Sequence, residues 1–245
     1  MKRTLAIGDI HGGLRGLDQV LERAAVTTDD VLIFLGDYVD GWSDSAAVLE
    51  RLMELDQQQE CHFIYGNHDA YLFDWLTKGT MNWVWLNHGG RETIESYIDI
   101  IEDEEHKQSH IDFISKMKNY YVDDLNRLFI HAGFTSMHGP EKEHYASNYN
   151  WDRTLWETAM AAHDNFVPGD IGFPQRLRLY FEIYIGHTPT TNWNIAHPWN
   201  RTNVWNLDTG AGFKGKLSIL DIDTGDYWQS DPLNDLYPNE IGRNK

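Results

Sequence analysis

An α/β fold is predicted by two features of the first half of the sequence: short β-rich runs ending in glycine or asparagine, and intervening segments with apolar residues at helical spacing. Thr4 to Ile7, Val31 to Leu35 and His62 to Tyr65 read as the first three strands. Between them Leu14, Leu17, Val20, Leu21 and Ala24 define one amphipathic helix, and Ala46, Leu49, Leu52 and Met53 define a second. Helical patterns over about 93–101 and 111–117 make a helical cap excursion at about 92–120 before the strand Leu128 to Ile130. A loop with Gly139-Pro140, a helix over about 153–162, a Pro168-Gly169 break and the strand Glu182 to Ile185 follow. Val204 to Leu207, Lys216 to Leu220 and Tyr227 to Gln229, separated by Gly-containing turns, read as antiparallel strands closing a second sheet.

The 245 residues, 41% hydrophobic and 13% aromatic, are enough for a sizeable core and fit a single domain over 1–245. Apolar stretches such as Val31 to Leu35 are strand-sized, well short of the roughly 20 residues that span a bilayer. No membrane partner is expected. The opening Met1-Lys2-Arg3 leads into too short an apolar run for a secretory signal, so a cytoplasmic protein is expected. The lone Cys61 forms no internal disulfide and supports no thiolate metal cluster, so any metal must be held by nitrogen and oxygen. With 38 acidic against 20 basic residues the formal net charge is −18, a field that repels polyanions and argues against nucleic acid as a partner.

Nearly every strand ends in a residue able to bind metal. Gly8-Asp9-Ile10-His11-Gly12, Gly36-Asp37, Gly66-Asn67-His68-Asp69, His131-Ala132-Gly133 and Gly186-His187 all follow predicted strands. Strand C-termini are where α/β sheets gather their binding residues. Each motif alone is ordinary turn chemistry. Their ordered conjunction supplies the mixture of carboxylate, amide and imidazole that a pair of divalent ions needs.

The motifs GDIHG, GDYVDG, GNHD, HAG and GHTP, in this order from Asp9 to about Gly210, resemble the PPP-type serine/threonine phosphatases of the calcineurin-like metallophosphoesterase superfamily, in their compact bacterial and phage form. The resemblance implies a central β-sandwich of mixed sheets flanked by helices, four layers in the order αββα. It implies Asp9, His11 and Asp37 as ligands of one metal, with Asp37 bridging to a second held by Asn67, His131 and His187. Two ions about 3.5 to 4 Å apart would share a hydroxide as nucleophile. Manganese is the expected metal, with iron or zinc also suited to these ligands. His68 is implied as the general acid and Asp40 as the carboxylate that orients it, although Asp69 is also near and could cap the helix that begins there.

Two departures bear on the substrate. Where the family continues with an arginine that contacts substrate phosphate, this chain has Gly41 followed by Trp42. Arg153, in Trp151-Asp152-Arg153, resembles a second phosphate-binding arginine and could make a bidentate contact. In Gly186-His187-Thr188-Pro189 the second histidine of the wider superfamily's Gly-His-x-His is absent, which lowers the odds of a nucleotide phosphodiesterase of that type. The leading expectation is a serine/threonine protein phosphatase acting on a phosphorylated protein or a small phosphoester. A dinucleoside polyphosphate hydrolase is the alternative, supported by Leu207-Asp208-Thr209-Gly210, and a non-catalytic phosphoprotein-binding module is the third reading. Cys61 is expected to be buried and inert, His62, His88, His110 and His163 are given no role, and oligomeric state is not legible.

Overall fold

The computed structural model describes residues 2–167 and 169–243. In chain order, β1 (Thr4–Ile7), α1 (Leu14–Arg23), β2 (Val31–Phe34), α2 (Ser45–Gln58), β3 (Cys61–Phe63) and α3 (Asn67–Lys78) form two parallel crossovers and the helix that follows them. The short helices α4 (Trp83–Trp85), α5 (Arg91–Ser96) and α6 (Ile98–Ile101) then lead to α7 (Glu104–Ser115). Next come β4 (Tyr120–Val122), β5 (Arg127–Ile130), α8 (Asn148–Trp151), α9 (Thr154–His163), α10 (Gln175–Arg178) and β6 (Glu182–Ile185). The chain finishes with β7 (Trp199–Arg201), β8 (Val204–Asn206), β9 (Ser218–Asp221), β10 (Tyr227–Gln229) and α11 (Leu233–Leu236).

Two five-stranded sheets result, ordered β10-β9-β1-β2-β3 and β4-β5-β6-β8-β7. Because strand side chains alternate faces, each strand serves two apolar layers. Leu5, Ile7, Leu32 and Phe34 pack outward against Leu17 and Val20 of α1 and Leu49 and Leu52 of α2. Ala6, Ile33 and Leu35 face the opposite way and meet Phe129, Tyr184, Leu207 and Leu220 between the sheets. On the far side Leu128, Ile130, Ile183 and Ile185 pack on Leu155, Trp156 and Ala159 of α9. Helices, sheet, sheet and helix therefore stack as four layers, each apolar face covered by the next. The helical excursion joins the first helical layer, with Tyr97, Ile100, Phe113 and Ile114 in its apolar cluster, and its 93–101 pattern is split into α5 and α6 at Tyr97.

The tail departs from the expected second-sheet meander. β8 does enter the second sheet, but it runs parallel to β6, with Ile183 opposite Val204, and only the short β7 pairs with it antiparallel. β9 and β10 instead join the first sheet, β9 antiparallel to β1 with Ala6 opposite Leu220. A loop from Asp208 to Gly215, turned at Gly210 with φ 84°, carries the chain between the sheets. Burying Leu220 between the sheets and Ile219 under the helices is what this placement gains. Of the Pro168-Gly169 break, Pro168 lies outside the described residues. Cys61 is half-buried rather than buried. Burial, then Asp56 and Glu60, pushes its thiol up to about 12, which leaves it protonated and unreactive.

Candidate metal centre

The loops after the parallel strands converge on Asp37. Its Oδ1 lies 3.4 Å from His131 Nε2 and accepts the His68 backbone N–H at 3.0 Å, while its Oδ2 lies 3.7 Å from His11 Nε2. Two buried ligand groups share this carboxylate: His11 and His68 on one side, His131 and His187 on the other. Asn67 Oδ1 is 3.2 Å from His131 Nε2 and 2.9 Å from His187 Nδ1. Asp9 Oδ2 is 3.8 Å from His11 Nε2, and the Asp9 carboxylate accepts the His187 N–H at 3.1 and 3.2 Å. All six residues named as ligands from the sequence thus sit in one cluster.

Local backbone explains the convergence. His11 (φ 53°), Asp37 (φ 55°), Asp40 (φ 73°) and His187 (φ 66°) occupy the left-handed region, a cost that side chains bear only where the surroundings impose it. Asp69, in the first turn of α3, fastens the Asp37 loop: Oδ2 accepts from the N–H groups of Asp37 and Gly66 and Oδ1 from that of Tyr38, each at 2.9 Å. A side chain at Gly66 would strike Asp37, and one at Gly186 would strike the Asp9 carboxylate, so these positions are glycine for closeness of approach.

The site is rich in acceptors and poor in cations. Burial opposes charge on His131, yet the Asp37 carboxylate beside it outweighs burial and raises the imidazole to about 9. Burial, and then Asp208, pushes Asp9 well above the usual carboxylate range, and burial pushes Asp208 up to about 6. His11 is driven well below its usual value by burial and then by Arg243; its Nδ1–H faces the Val39 and Asp40 carbonyls, which turns the Nε2 lone pair toward Asp9 and Asp37. His187 Nε2 is buried without a hydrogen-bond partner among the described residues. Carboxylates, an amide oxygen and imidazole lone pairs facing one another out of water are the donor set that divalent cations of the manganese, iron or zinc kind satisfy.

Beside this cluster, His68 Nδ1 is 2.7 Å from Asp40 Oδ2. The same carboxylate is held by the Trp85 indole N–H at 2.8 Å and the Thr93 hydroxyl at 2.6 Å. Burial pushes Asp40 up to about 7 and His68 down to about 3. Asp69, the competing partner considered for His68, is committed instead to the backbone of the Asp37 loop and to the start of α3.

A pocket of about 140 Å³ opens onto the cluster, lined by Asp37, Asn67, His68, Tyr71, Val84, His88, Trp151, Arg153, His187 and Arg243. Arg153 Nη1 donates to Thr188 Oγ1 at 2.9 Å. Arg243 Nη1 donates to His11 Nε2 at 3.0 Å, and its Nε is buried with no partner among the described residues. A larger cavity of about 490 Å³ behind Gly41 is lined by Glu92, Glu95 and Glu240, carboxylates that would repel a phosphate.

Residues 2–210 match the family model described as calcineurin-like phosphoesterase. The chain belongs to that family. Among curated relatives of this calcineurin-like phosphoesterase, bis(5'-nucleosyl)-tetraphosphatase PrpE [asymmetrical] of Oceanobacillus iheyensis is 24% identical over 225 residues, covering 86% of this chain and 85% of the relative. A crystal structure provisionally assigned as a diadenosine tetraphosphatase superposes with a TM-score of 0.61 at 15% identity, covering 93% of this chain and 92% of its own. A serine/threonine protein phosphatase from Saccharomyces cerevisiae superposes with a TM-score of 0.59 at 11% identity, covering 94% and 80%. At these identities the superpositions establish the shared fold.

Asp208, Trp85, Thr93 and Arg243 are among the residues at this phosphoesterase's site that were not assigned from its sequence. Asp208 follows β8 just as Asp9 follows β1, so the strand-end pattern could have found it. Trp85 and Thr93 arrive from the helical excursion and Arg243 from the end of the described chain, with no motif to mark them.

Proposed function

We propose that the chain hydrolyses a phosphorus–oxygen bond at this centre, with dinucleoside polyphosphates as its substrate class ahead of phosphoserine and phosphothreonine in proteins. The observation that carries the hydrolytic reading is Asp37, shared between two buried ligand groups at the floor of a pocket whose mouth holds two guanidinium groups. Asp9, His11 and Asp37 would hold one ion and Asp37, Asn67, His131 and His187 another, with manganese expected. Such a pair, when bound, lowers the pKa of a water and neutralises phosphoryl oxygens.

The chain's own residues account for the other requirements. Arg153 and Arg243, both lining the pocket, would grip the phosphoryl oxygens, Arg243 standing in for the arginine that Gly41 lacks; a Cβ at Gly41 would come within 3.2 Å of Arg243 Cγ. The backbone of Arg243 is fastened independently of any ligand, its N–H donating to Gly212 O at 2.8 Å. His68 would deliver a proton to the departing oxygen, and Asp40, fixed by Trp85 and Thr93, would keep its ring in line.

Size supports a small phosphoryl group inside and a larger leaving group outside, since about 140 Å³ cannot enclose a nucleoside. Exposed Trp151 lines this mouth with Tyr71, edge to face at 6.0 Å, an aromatic rim on which a nucleobase can stack. The name carried by the curated relative points the same way. The phosphoprotein reading stands second, on the order of the five motifs. Lone, half-buried Cys61 is compatible with the cytoplasm as the compartment, and among the described residues no helix is long and apolar enough to cross a membrane.

The test is hydrolysis of diadenosine tetraphosphate, a phosphoserine peptide and para-nitrophenyl phosphate by metal-stripped protein, with and without manganese. Manganese-dependent cleavage of the dinucleotide is expected to dominate. Preference for the peptide would move the second reading to first, and no turnover of any substrate with metals bound would leave a phosphate-binding protein.

A further inference from the structure

Glu50 on α2 and His106 and His110 on α7 meet on the outer helical layer, and none of them lines the pocket described above. His106 and His110 are one helical turn apart and so share a face of α7, with ring centroids 5.1 Å apart. His106 Nε2 lies 3.0 Å from Glu50 Oε1. One ligand atom from each of the three residues falls within 4.8 Å of the others.

An ordinary surface ion pair accounts for Glu50 and His106, whose side chains are about two-fifths exposed. It does not account for His110. That side chain is fully buried, its Nδ1 lies 2.9 Å from the Tyr97 hydroxyl, and its Nε2 has no hydrogen-bond partner among the described residues. A buried polar nitrogen without a partner is a costly arrangement that needs a reason.

We propose that Glu50, His106 and His110 form a second, separate cation site, of the zinc type, that staples α7 to α2. Two imidazoles and one carboxylate, with a fourth position for water, are a tetrahedral zinc set, and the imidazoles disfavour magnesium or calcium. The Tyr97 hydroxyl, 2.9 Å from Nδ1, can accept that N–H and so would leave the His110 Nε2 lone pair as the ligand, the kind of outer contact that fixes tautomer and ring orientation at such sites. Tyr97 lies between α5 and α6, and α5 carries the Thr93 that holds Asp40, so the staple anchors the excursion that furnishes that contact.

The test uses the metal-stripped full chain, titrated with zinc and then freed of loose metal, with bound zinc counted by elemental analysis. Wild type should retain one more zinc per chain than His106→Gln or Glu50→Gln, both at partly exposed positions. Zinc should also raise the Tm of wild type by roughly 5 °C more than that of either variant. Equal zinc content and equal Tm response in wild type and both variants overturn the proposal. Because the readouts are stoichiometry and stability, the outcome is independent of which phosphoester the other site cleaves.

Discussion

The indole N–H of Trp85 donates to Asp40 Oδ2 at 2.8 Å, bonding the same oxygen that faces His68 Nδ1. A residue 45 positions away, on a three-residue helix, thereby sets the orientation of the carboxylate behind the proposed general acid.

Trp85→Phe keeps most of the packing of this buried ring but removes the donor. The expected result is a loss of about 1–2 kcal/mol of stability and a kcat lowered roughly tenfold, with metal content unchanged. Denaturant titration together with steady-state kinetics checks it, and an unaltered kcat would show that His68 and Thr93 suffice to hold Asp40.

Asp37 and His68 should fail in different ways. Asp37→Asn is expected to lose metal retention and turnover together, because both ligand groups need that carboxylate. His68→Asn should keep its metals and lose roughly 10²- to 10⁴-fold in kcat. His68 also lies within the His11–Asp37 ligand group, so the comparison is informative: equal loss of metal in both variants would make His68 a ligand and not an acid.

Arg243→Ala should raise KM about tenfold or more, the loss of a charge-assisted contact to phosphate, with little effect on bound metal. Arg243→Lys should recover part of it, as a point charge without the fork. Inorganic phosphate binding to the metal-loaded protein gives the same comparison without turnover. If KM and phosphate affinity stay put while metal binds more tightly, Arg243 merely occupies the His11 lone pair.

Arg3 and Asp30 supply a pH-dependent term far from the chemistry. The pair meets at 2.6 Å with Asp30 almost wholly buried, and Arg3 also donates to the carbonyls of Ala24 and Ala25. Burial opposes the charge on Asp30, but Arg3 and the Thr27 N–H outweigh it and bring the carboxyl down from 3.8 to about 2. A depressed folded-state pKa stabilises fully above the unfolded value and is lost as pH falls through the folded one, here between about 4 and 2. Asp30→Asn should therefore cost about 2 kcal/mol at pH 7 and progressively less below pH 4. Urea unfolding across that range measures the difference, and a gap that does not shrink on acidification would mean the pair is not ionic.

The sequence by itself determined what depends on neighbours along the chain. Strands such as β1 and β6 show in their apolar β-rich runs, α1 in its helical spacing, and Asp9, His11, Asp37, Asn67, His131 and His187 in the glycine-marked turns after strands. These are local signals, set by backbone preference and by which face must be buried. Tertiary structure decided the rest. Leu220 could have been buried in either sheet; only the pairing of β9 with β1, more than 200 residues apart, selects one. Trp85, Thr93 and Arg243 carry no local mark of their roles, because a buried tryptophan, a helical threonine and a late arginine each have commoner uses. They reach Asp40 and His11 through contacts that close only when the helical excursion and the chain's end pack against the loops of the first sheet.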